Sequence, residues 1–293
     1  MRDFCITTDS NSDMPQSYIE KYGTIIIPQY YCFGDTVYGD EINMSPTEFY
    51  DKMKHGELPV SQPNNPLVIE EKFRAILEQG FDIIHIAFSS ALSTSYDNVC
   101  SVARNLKAEY YDARITVIDS LNVSLAETLM VEYANRLKAK DYSYEDVVRK
   151  LNSFIENVNV QFTVDDLFHL QRGGRVSKAV AVVGSALNLK PFLYVSSTGT
   201  LSSSGTALGR KKALQTLVHK VKSTYVDSPD FLLPVGIVHG NCYEEAQTVA
   251  NMIRTEIGIP KVIINDISPS IGTHAGPGTL AVIYYGQPKP QAK

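Results

Sequence analysis

The clearest change from apolar to polar positions along the chain lies within residues 83–96. Residues 83–88 form an apolar run, which is typical of a buried β-strand. Five hydroxyl side chains follow between Ser89 and Ser95. A helix is predicted next, because apolar residues recur at helical spacing at Val99, Val102, Ala103 and Leu106. The pattern therefore predicts a strand, a hydroxyl-rich loop at its carboxyl end, and a helix.

This hydroxyl-rich loop is the first candidate binding site. In open α/β sheets, ligands bind outside the carboxyl ends of the strands, and the N–H groups at a helix start favour an anion. Helix capping by Ser89, Ser90 or Ser93 is the simpler interpretation, but one serine suffices for a cap. We therefore expect a small anionic group that is bound by hydroxyls rather than by an arginine.

The same pattern occurs twice more in the first half of the chain. A strand predicted at 4–8 leads into an acidic loop at 9–13, and a strand at 115–118 ends in Asp119 and Ser120. If the three strands share a parallel sheet, their polar ends converge on one edge. The acidic loop lacks the spacing of an EF-hand, so a turn with helix caps is the favoured interpretation of most of its residues.

The second half of the chain predicts a further α/β unit. We expect a first domain at residues 1–160 with a mainly parallel sheet, and a second at 161–293 with a mixed sheet flanked by helices. A hairpin turn is predicted at 197–200, and the tail at 288–291 is expected to be disordered. Strands are predicted at 160–164, 190–195, 235–239, 262–267 and 280–285, and helices at 177–187, 209–222 and 243–256.

Composition and charge exclude several classes of protein. The net charge of −5 and the pI of about 5.7 argue against a general nucleic-acid binder. We expect no signal peptide, and no apolar run approaches the roughly 20 residues that span a bilayer. The four cysteines lie far apart and form no Cys-x-x-Cys pair, which indicates thiols in a reducing compartment. The expected location is the cytoplasm.

Two further segments carry candidate binding residues. Three prolines fix an extended backbone at 58–66, where Ser61 and Asn64 are the polar side chains of interest. His274 lies in a glycine-rich segment at 271–278, which we predict to be a loop. A histidine in a loop is a better functional candidate than one on an apolar helix face, and a neutral imidazole donates to a hydroxyl or an acyl oxygen.

Basic residues stand at two predicted helix ends. Arg175 follows two glycines, where a helix cap and a functional role are about equally supported. Arg210, Lys211 and Lys212 stand at a helix start, where positive charge opposes the helix dipole. This cost suggests contact with a partner, although a solvated face is the default interpretation.

An enzyme is the main alternative to a binding protein. A serine of the hydroxyl loop with His274 as its base would form a nucleophilic pair. The chain has no Gly-x-Ser-x-Gly elbow, no Gly-x-x-x-x-Gly-Lys-[Ser/Thr] loop and no His-Glu-x-x-His, which argues against an autonomous kinase or metallohydrolase. A sensor or carrier of another apolar acid is the third alternative.

Six short motifs occur in order along nearly the whole chain. They are Ser61-Gln62-Pro63, Ser89-Ser90-x-Leu92-Ser93, Asp119-Ser120, Gly173-Gly174-Arg175-Val176-Ser177, Arg210-Lys211-Lys212-Ala213 and Ile271-Gly272-x-His274-x-Gly276-Pro277-Gly278. Together they resemble the DegV family, known as the fatty-acid-binding component of bacterial fatty acid kinase. The resemblance implies two α/β domains with a lipid pocket between them. It also implies that the chain holds a long-chain fatty acid while a separate ATP-using kinase subunit phosphorylates the carboxylate.

The resemblance assigns roles to individual residues. The residues implied to bind the carboxylate are Ser61, Ser93 and His274. The supporting network is implied to contain Arg175, Thr94, Asn64, Ser120 and Gly272. The residues implied to dock the kinase are Arg210 and Lys211. No catalytic residue, cofactor or metal is implied. The implied partners are the fatty acid and the kinase, without nucleic acid or an integral membrane segment, and with transient contact to a membrane surface allowed.

The chain departs from the family pattern at four positions. Ser61 stands where threonine is common, and the hydroxyl is kept. Thr94 stands where glycine is usual, beside the carboxylate site. Ala126 and Thr128 interrupt a helix that is often rich in glycine, which bears on the acyl length that the pocket accepts.

Overall fold

The computed structural model describes residues 2–165, 167–176 and 188–292, so the predicted helix at 177–187 lies outside the described residues. Within these ranges the strands are β1 (Phe4–Asp9), β2 (Ile25–Ile27), β3 (Tyr30–Phe33), β4 (Thr36–Tyr38), β5 (Val60–Gln62), β6 (Asp82–Ala87), β7 (Ile115–Asp119), β8 (Val158–Thr163), β9 (Leu189–Val195), β10 (Leu201–Leu208), β11 (Val235–His239), β12 (Val262–Asp266) and β13 (Leu280–Tyr285).

Ten α-helices lie in the same described ranges. They are α1 (Gln16–Tyr22), α2 (Pro46–Lys54), α3 (Pro66–Glu78), α4 (Ser95–Glu109), α5 (Leu125–Lys138), α6 (Tyr144–Ile155), α7 (Phe168–Arg172), α8 (Arg210–Thr224), α9 (Tyr243–Met252) and α10 (Pro269–Ala275). A 3₁₀ turn at Ser10–Ser12 follows β1, and a π-helical turn at Ile253–Ile257 continues α9. None of these helices is long and apolar enough to cross a membrane.

The first sheet is wholly parallel, with strand order β2-β1-β6-β7. Its strands are buried on both sides, because Ile84 and Ile86 face α5 and α6 while Ile83 faces α3 and α4. A strand that is buried on both faces has a continuous apolar sequence, which explains the run at 83–88. The carboxyl ends of β1, β6 and β7 lie at one edge, as the sequence predicts.

The second sheet has six strands in the order β10-β9-β8-β13-β11-β12. Neighbouring strands are antiparallel except β11 and β12, so the sheet is mixed as predicted. Val160 and Phe162 face the first sheet, while Val282 and Tyr284 face α8 and α9. The first strand of this sheet, β8, begins at Val158. The division of the chain near residue 160 stays a prediction.

Helix α5 packs between the two sheets. Most of its side chains are buried, and they contact β1 and β6 of the first sheet and β8, β11 and β13 of the second. Leu125, Leu129 and Val131 supply much of its apolar surface, although Glu127 and Glu132 of the same helix are also fully buried. The result is one apolar core shared by both sheets, and the predicted two-part α/β fold is confirmed.

A small antiparallel sheet, with strand order β4-β3-β5, covers one side of the first half. Tyr31 of β3 packs edge-to-face on Phe49 of α2. Ser61 pairs with Tyr31 across the sheet, so its side chain points to the same inner face. Within the proline-rich segment, β5 (Val60–Gln62) is extended as predicted and carries Ser61 towards the interior, whereas Pro66 begins helix α3.

Two predictions are wrong in the structure. His274 lies in α10 rather than in a loop, because Pro269 starts a short helix there and Gly272 lies inside it against Tyr50. The tail is ordered rather than disordered. Its Lys289 donates from Nζ to the Leu121 carbonyl at 2.8 Å, and the Pro290 carbonyl accepts from the Ser197 N–H at 2.8 Å.

Candidate functional site

A cavity lies between the carboxyl edge of the first sheet and the inner face of the second. Its empty volume is about 1020 Å³, including the part that is open to solvent. The apolar side chains that line it are Pro63, Phe88, Leu92, Val123, Val160, Phe162, Leu170, Leu201, Val238, Ile267, Ile271, Ala275 and Ala281. The polar ones are Asn11, Gln29, Ser61, Gln62, Ser93, Thr94, Ser124, Arg175, Ser270, His274 and Thr279.

Ser61 and His274 form a hydrogen-bonded pair at this cavity. Ser61 Oγ lies 2.7 Å from His274 Nε2. Burial, with the charges of Arg175 and Arg172, lowers the pKa of His274 to about 4, so the imidazole is neutral at neutral pH. Nδ1 has no partner within the described residues. Because a buried N–H without an acceptor costs more than a bare lone pair, the proton belongs on Nε2.

This tautomer decides what Ser61 offers to a ligand. His274 Nε2–H donates to Ser61 Oγ, so the hydroxyl proton of Ser61 is free to donate into the cavity. A neutral imidazole and a hydroxyl together thus present one hydrogen-bond donor to an acyl oxygen without neutralising it by a full charge.

Gly173 is required by the position of His274. A Cβ at residue 173 would collide with His274 Nδ1, whereas the backbone of Gly173 has the ordinary helical φ of −76°. Gly174, with φ of +71°, is the glycine in the left-handed region. The two glycines therefore have separate functions: the first admits the imidazole and the second ends the turn after α7.

Ser93 belongs to a network of buried polar groups. Its Oγ lies 2.9 Å from Ser95 Oγ, and Ser95 Oγ–H donates to Gln29 Oε1 at 2.8 Å. Asn64 donates from Nδ2 to the Ser95 carbonyl at 3.2 Å, and Asn98 donates to the Asn64 carbonyl at 3.0 Å. The network joins the proline-rich segment to the start of α4 and holds Ser93 at the cavity wall.

Arg175 connects the Ser93 loop with the His274 helix. Its Nε donates to the Leu92 carbonyl at 3.1 Å, and its Nη1 donates to the Gly173 carbonyl. It forms no ion pair within the part of the chain that the structure describes, and burial lowers the pKa of its guanidinium. Arg175 therefore places a positive charge beside the cavity while carbonyls occupy two of its nitrogens.

The three remaining residues that the sequence analysis named as candidates lie in different environments. Thr94 lines the cavity directly. Ser120 is buried away from it, where its Oγ donates to the Asn122 carbonyl at 3.1 Å. Gly272 packs against Tyr50 and Phe49 and gives α10 its close contact with α2. The structure thus brings Thr94 to the candidate site, whereas Ser120 and Gly272 lie in the scaffold behind it.

Arg210 and Lys211 differ in environment although they are adjacent. Arg210 is only 18% exposed and donates from Nη2 to Glu245 at 2.5 Å and to the Gly278 carbonyl at 2.7 Å. Lys211 and Lys212 are exposed. The charge at the start of α8 is therefore partly paired inside the fold. Of the three basic residues at this helix start, only Lys211 and Lys212 expose their charge to solvent.

Sequence reasoning missed Gln29 and Ser95. Ser95 belongs to the hydroxyl cluster, but nothing singled it out from its neighbours. Gln29 gave no signal at all, because its partner Ser95 is 66 positions away along the chain. No group of three or more His, Cys, Asp or Glu side chains in the described ranges has the arrangement of a metal site.

Comparisons with known proteins agree on one family. Residues 3–287 match the model of a family described as uncharacterised proteins of the DegV family. A DegV domain-containing protein of Clostridium perfringens is 34% identical over 291 residues, which cover 99% of each chain.

Solved structures of DegV family proteins are also similar to this chain. A fatty-acid-binding DegV family protein from Thermus thermophilus is 26% identical, with a TM-score of 0.85 over 98% of this chain and 100% of the other. A DegV lipid-binding protein from Thermotoga maritima is also 26% identical, with a TM-score of 0.83 over 98% and 99%. The linoleate-loaded fatty acid kinase (Fak) B3 protein of Streptococcus pneumoniae, 22% identical, shares the fold, with a TM-score of 0.84 over 97% and 99%. This chain belongs to the DegV family.

Proposed function

We propose that the chain binds a long-chain fatty acid and presents its carboxylate to a separate ATP-dependent kinase. The observation that carries this proposal is a single cavity in which Ser61, Ser93 and His274 meet an extended apolar lining. The relatives from Thermus thermophilus and Thermotoga maritima, described as binding fatty acid and lipid, support the ligand class. The kinase partner is supported by the shared fold of the Streptococcus pneumoniae protein.

The two ends of the ligand contribute differently to binding. Burial of roughly 15 methylenes at about 0.8 kcal/mol each gives on the order of 12 kcal/mol before ordering costs. The hydroxyls then fix the position of the head group. Because Ser61 and Ser93 are uncharged and Arg175 is held by carbonyls, the carboxylate keeps its nucleophilic oxygen for phosphoryl transfer.

Extraction of bound lipid from the purified protein tests this function. We expect about one long-chain fatty acid per chain after denaturing extraction, identified by mass spectrometry, since affinity from a buried tail survives purification. Failure of the lipid-free protein to take up added fatty acid would contradict the proposal.

The four cysteines, all free thiols, support a cytoplasmic location.

A serine hydrolase is the second candidate, because Ser61 and His274 are in hydrogen-bond contact. A histidine with a pKa of about 4 is a weak base, and Nδ1 has no orienting carboxylate within the described residues. Turnover of acyl esters by the purified protein, lost in Ser61→Ala and in His274→Ala, would favour this alternative over the carrier.

Kinase docking is tested by reversing the exposed charges of α8. In Lys211→Glu/Lys212→Glu we expect phosphorylation of the bound acid to fall about tenfold or more, because complementary surface charge speeds association. Fatty-acid affinity should not change. The assay is kinase turnover with lipid-loaded protein at low and high salt, since added salt screens exposed charges. Lys222→Glu, at the exposed far end of α8, is the matched control; equal turnover in all three proteins would remove docking from this helix.

A further inference from the structure

Two buried amide side chains line the cavity without completing their hydrogen bonds. Asn11 is 5% exposed and Gln29 is 3% exposed, and both belong to the cavity lining. Asn11 Oδ1, an acceptor, and Gln29 Nε2, a donor, have no hydrogen-bond partner within the described residues. An unpaired buried polar atom costs free energy, so nearly all such atoms in native proteins have a partner. For these two atoms, the cavity is the place where a partner can lie.

The two amides are carried by neighbouring segments of the chain. Asn11 lies in the 3₁₀ turn that follows β1, and Gln29 comes shortly after the end of β2. The two strands are paired, with Asp9 opposite Ile27. The Gln29 N–H also donates to Ser10 Oγ at 2.9 Å, which joins the two segments beyond the strands. One small ligand group can therefore meet both amides.

The scaffold bonds around these residues leave the two atoms unused. The backbone N–H of Asn11, rather than its side chain, donates to Asp9 Oδ1 at 2.9 Å. The other oxygen of Asp9 accepts the Phe88 N–H at 3.0 Å. Gln29 Oε1 accepts the Ser95 hydroxyl proton at 2.8 Å, which makes Nε2 the unpaired end of this amide. Asn11 Oδ1 and Gln29 Nε2 are thus available to a ligand.

A hydroxyl is the ligand group that matches this pair of atoms. It donates its proton to Asn11 Oδ1 and accepts from Gln29 Nε2 through a lone pair. A carbonyl oxygen would leave Asn11 Oδ1 unpaired, an ammonium group would leave Gln29 Nε2 unpaired, and a methylene would satisfy neither. Because both amides are uncharged, the matching group is neutral as well.

The head-group network limits where this hydroxyl stands on the ligand. Ser95 Oγ lies 2.9 Å from Ser93 Oγ and 2.8 Å from Gln29 Oε1, so Ser93 Oγ and Gln29 Oε1 are at most about 5.7 Å apart. An acid whose carboxylate is held by Ser93 therefore has its first few carbons beside Gln29. The hydroxyl belongs near the carboxylate, as in a 3-hydroxy acid, rather than far along the tail.

We propose that Asn11 and Gln29 form a hydroxyl subsite, and that the preferred ligand is a long-chain fatty acid with a hydroxyl group near its carboxylate. The hydroxyl bridges the two amides while Ser61 and Ser93 hold the carboxylate. An acid without this hydroxyl leaves the two amides unpaired or takes a water molecule in with it. This inference rests on the proposed fatty-acid function and names the class of acid.

Competition between 3-hydroxypalmitate and palmitate tests the subsite. A site built to bind a ligand hydroxyl discriminates against the analogue that lacks it, although a water molecule in its place reduces the discrimination. We therefore expect the full-length wild type to bind 3-hydroxypalmitate about tenfold more tightly than palmitate. Gln29→Met and Asn11→Leu should each lose this preference, because each removes one of the two partners.

The ratio of the two dissociation constants within each protein is the readout. A disturbed Ser95 network would weaken the binding of both acids alike, so the ratio separates the subsite from a merely structural role. Gln62→Met is the matched control and should keep the wild-type ratio, because Gln62 lines the cavity but directs its Nε2 towards Cys32 Sγ at 3.8 Å.

A second pair of acids tests the position of the hydroxyl. In 12-hydroxystearate the hydroxyl lies far along the tail, where it would meet apolar lining. We expect this acid to bind no more tightly than stearate, because burial of a hydroxyl without a partner is unfavourable. A clear preference for 12-hydroxystearate would overturn the placement of the subsite beside the carboxylate.

The remaining outcomes separate the subsite from the fatty-acid function. Equal binding of 3-hydroxypalmitate and palmitate by the wild type overturns the subsite, and so does a preference that survives in both variants. Asn11→Leu carries the test alone if Gln29→Met does not fold, as judged by thermal unfolding. A wild type that binds none of the four acids refutes the fatty-acid function itself, so the two failures are distinguishable.

Discussion

Replacement of Ala281 by phenylalanine is expected to weaken binding of an 18-carbon acid by about 100-fold. Ala281 lies on β13, pairs with Phe162 of β8, and lines the cavity. A phenylalanine ring there takes the space of roughly three or four methylenes, each worth about 0.8 kcal/mol on burial, or about 3 kcal/mol together. The polar groups at Ser61 and Ser93 are unaffected, so the loss reports on the tail alone.

A series of saturated acids measures this effect. We expect a 10-carbon acid to bind Ala281→Phe and the wild type alike, and the affinity difference to grow with chain length. Thr206→Phe, which places the same ring on an exposed position of edge strand β10, is the matched control. An unchanged length preference in Ala281→Phe would mean that the tail does not lie along β13.

Arg210→Glu is expected to lower the free energy of unfolding by about 1–3 kcal/mol, because its charge-assisted bonds are only partly shielded from solvent. The guanidinium donates to Glu245 and to the Gly278 carbonyl, and Asp165 lies 3.8 Å from Nη1. A glutamate would set a third carboxylate against Glu245 and Asp165, and it would leave the Gly278 carbonyl without its donor. This residue therefore acts first as a link between α8, α9 and the turn before β13.

Denaturant unfolding of Arg210→Glu and Lys211→Glu separates this structural role from docking. Lys211 is exposed, so its reversal should change the free energy of unfolding by less than about 0.5 kcal/mol. If both variants unfold like the wild type, the ion pair with Glu245 contributes nothing to stability, and the start of α8 is a solvated face. Loss of activity in Arg210→Glu alone would not establish docking.

The strands and the hydroxyl loop were predictable because their signals are local. A strand that is buried on both faces must be apolar throughout, and the ends of β1, β6 and β7 carry their polar residues in adjacent positions. These patterns require no knowledge of distant partners. They were sufficient to place Ser93 at the carboxyl edge of a parallel sheet.

The helix around His274 could not be predicted, because the residue that requires a glycine at position 272 is distant along the chain. Gly272 lies within α10 since a side chain there would collide with Tyr50, far away along the chain. A glycine that serves close packing looks the same in sequence as one that ends a helix. Gly173, which admits His274, likewise has a partner that is distant along the chain.

The ordered tail was unpredictable for a related reason. Its prolines and lysine are typical of a free terminus, but Lys289 and Pro290 find acceptor and donor groups on loops that only the folded chain brings together. The same holds for Gln29, whose role depends on a bond to Ser95.

The burial of α5 between both sheets bears on how the chain can fold. Leu125 and Leu129 lie in an apolar core to which both sheets contribute. A nascent chain that ends before β8 would expose this core to water, because the packing around α5 needs both halves. The two sheets should therefore form one cooperative folding unit. During synthesis, we expect the first half to stay only partly ordered around α5 until the strands of the second sheet have emerged from the ribosome.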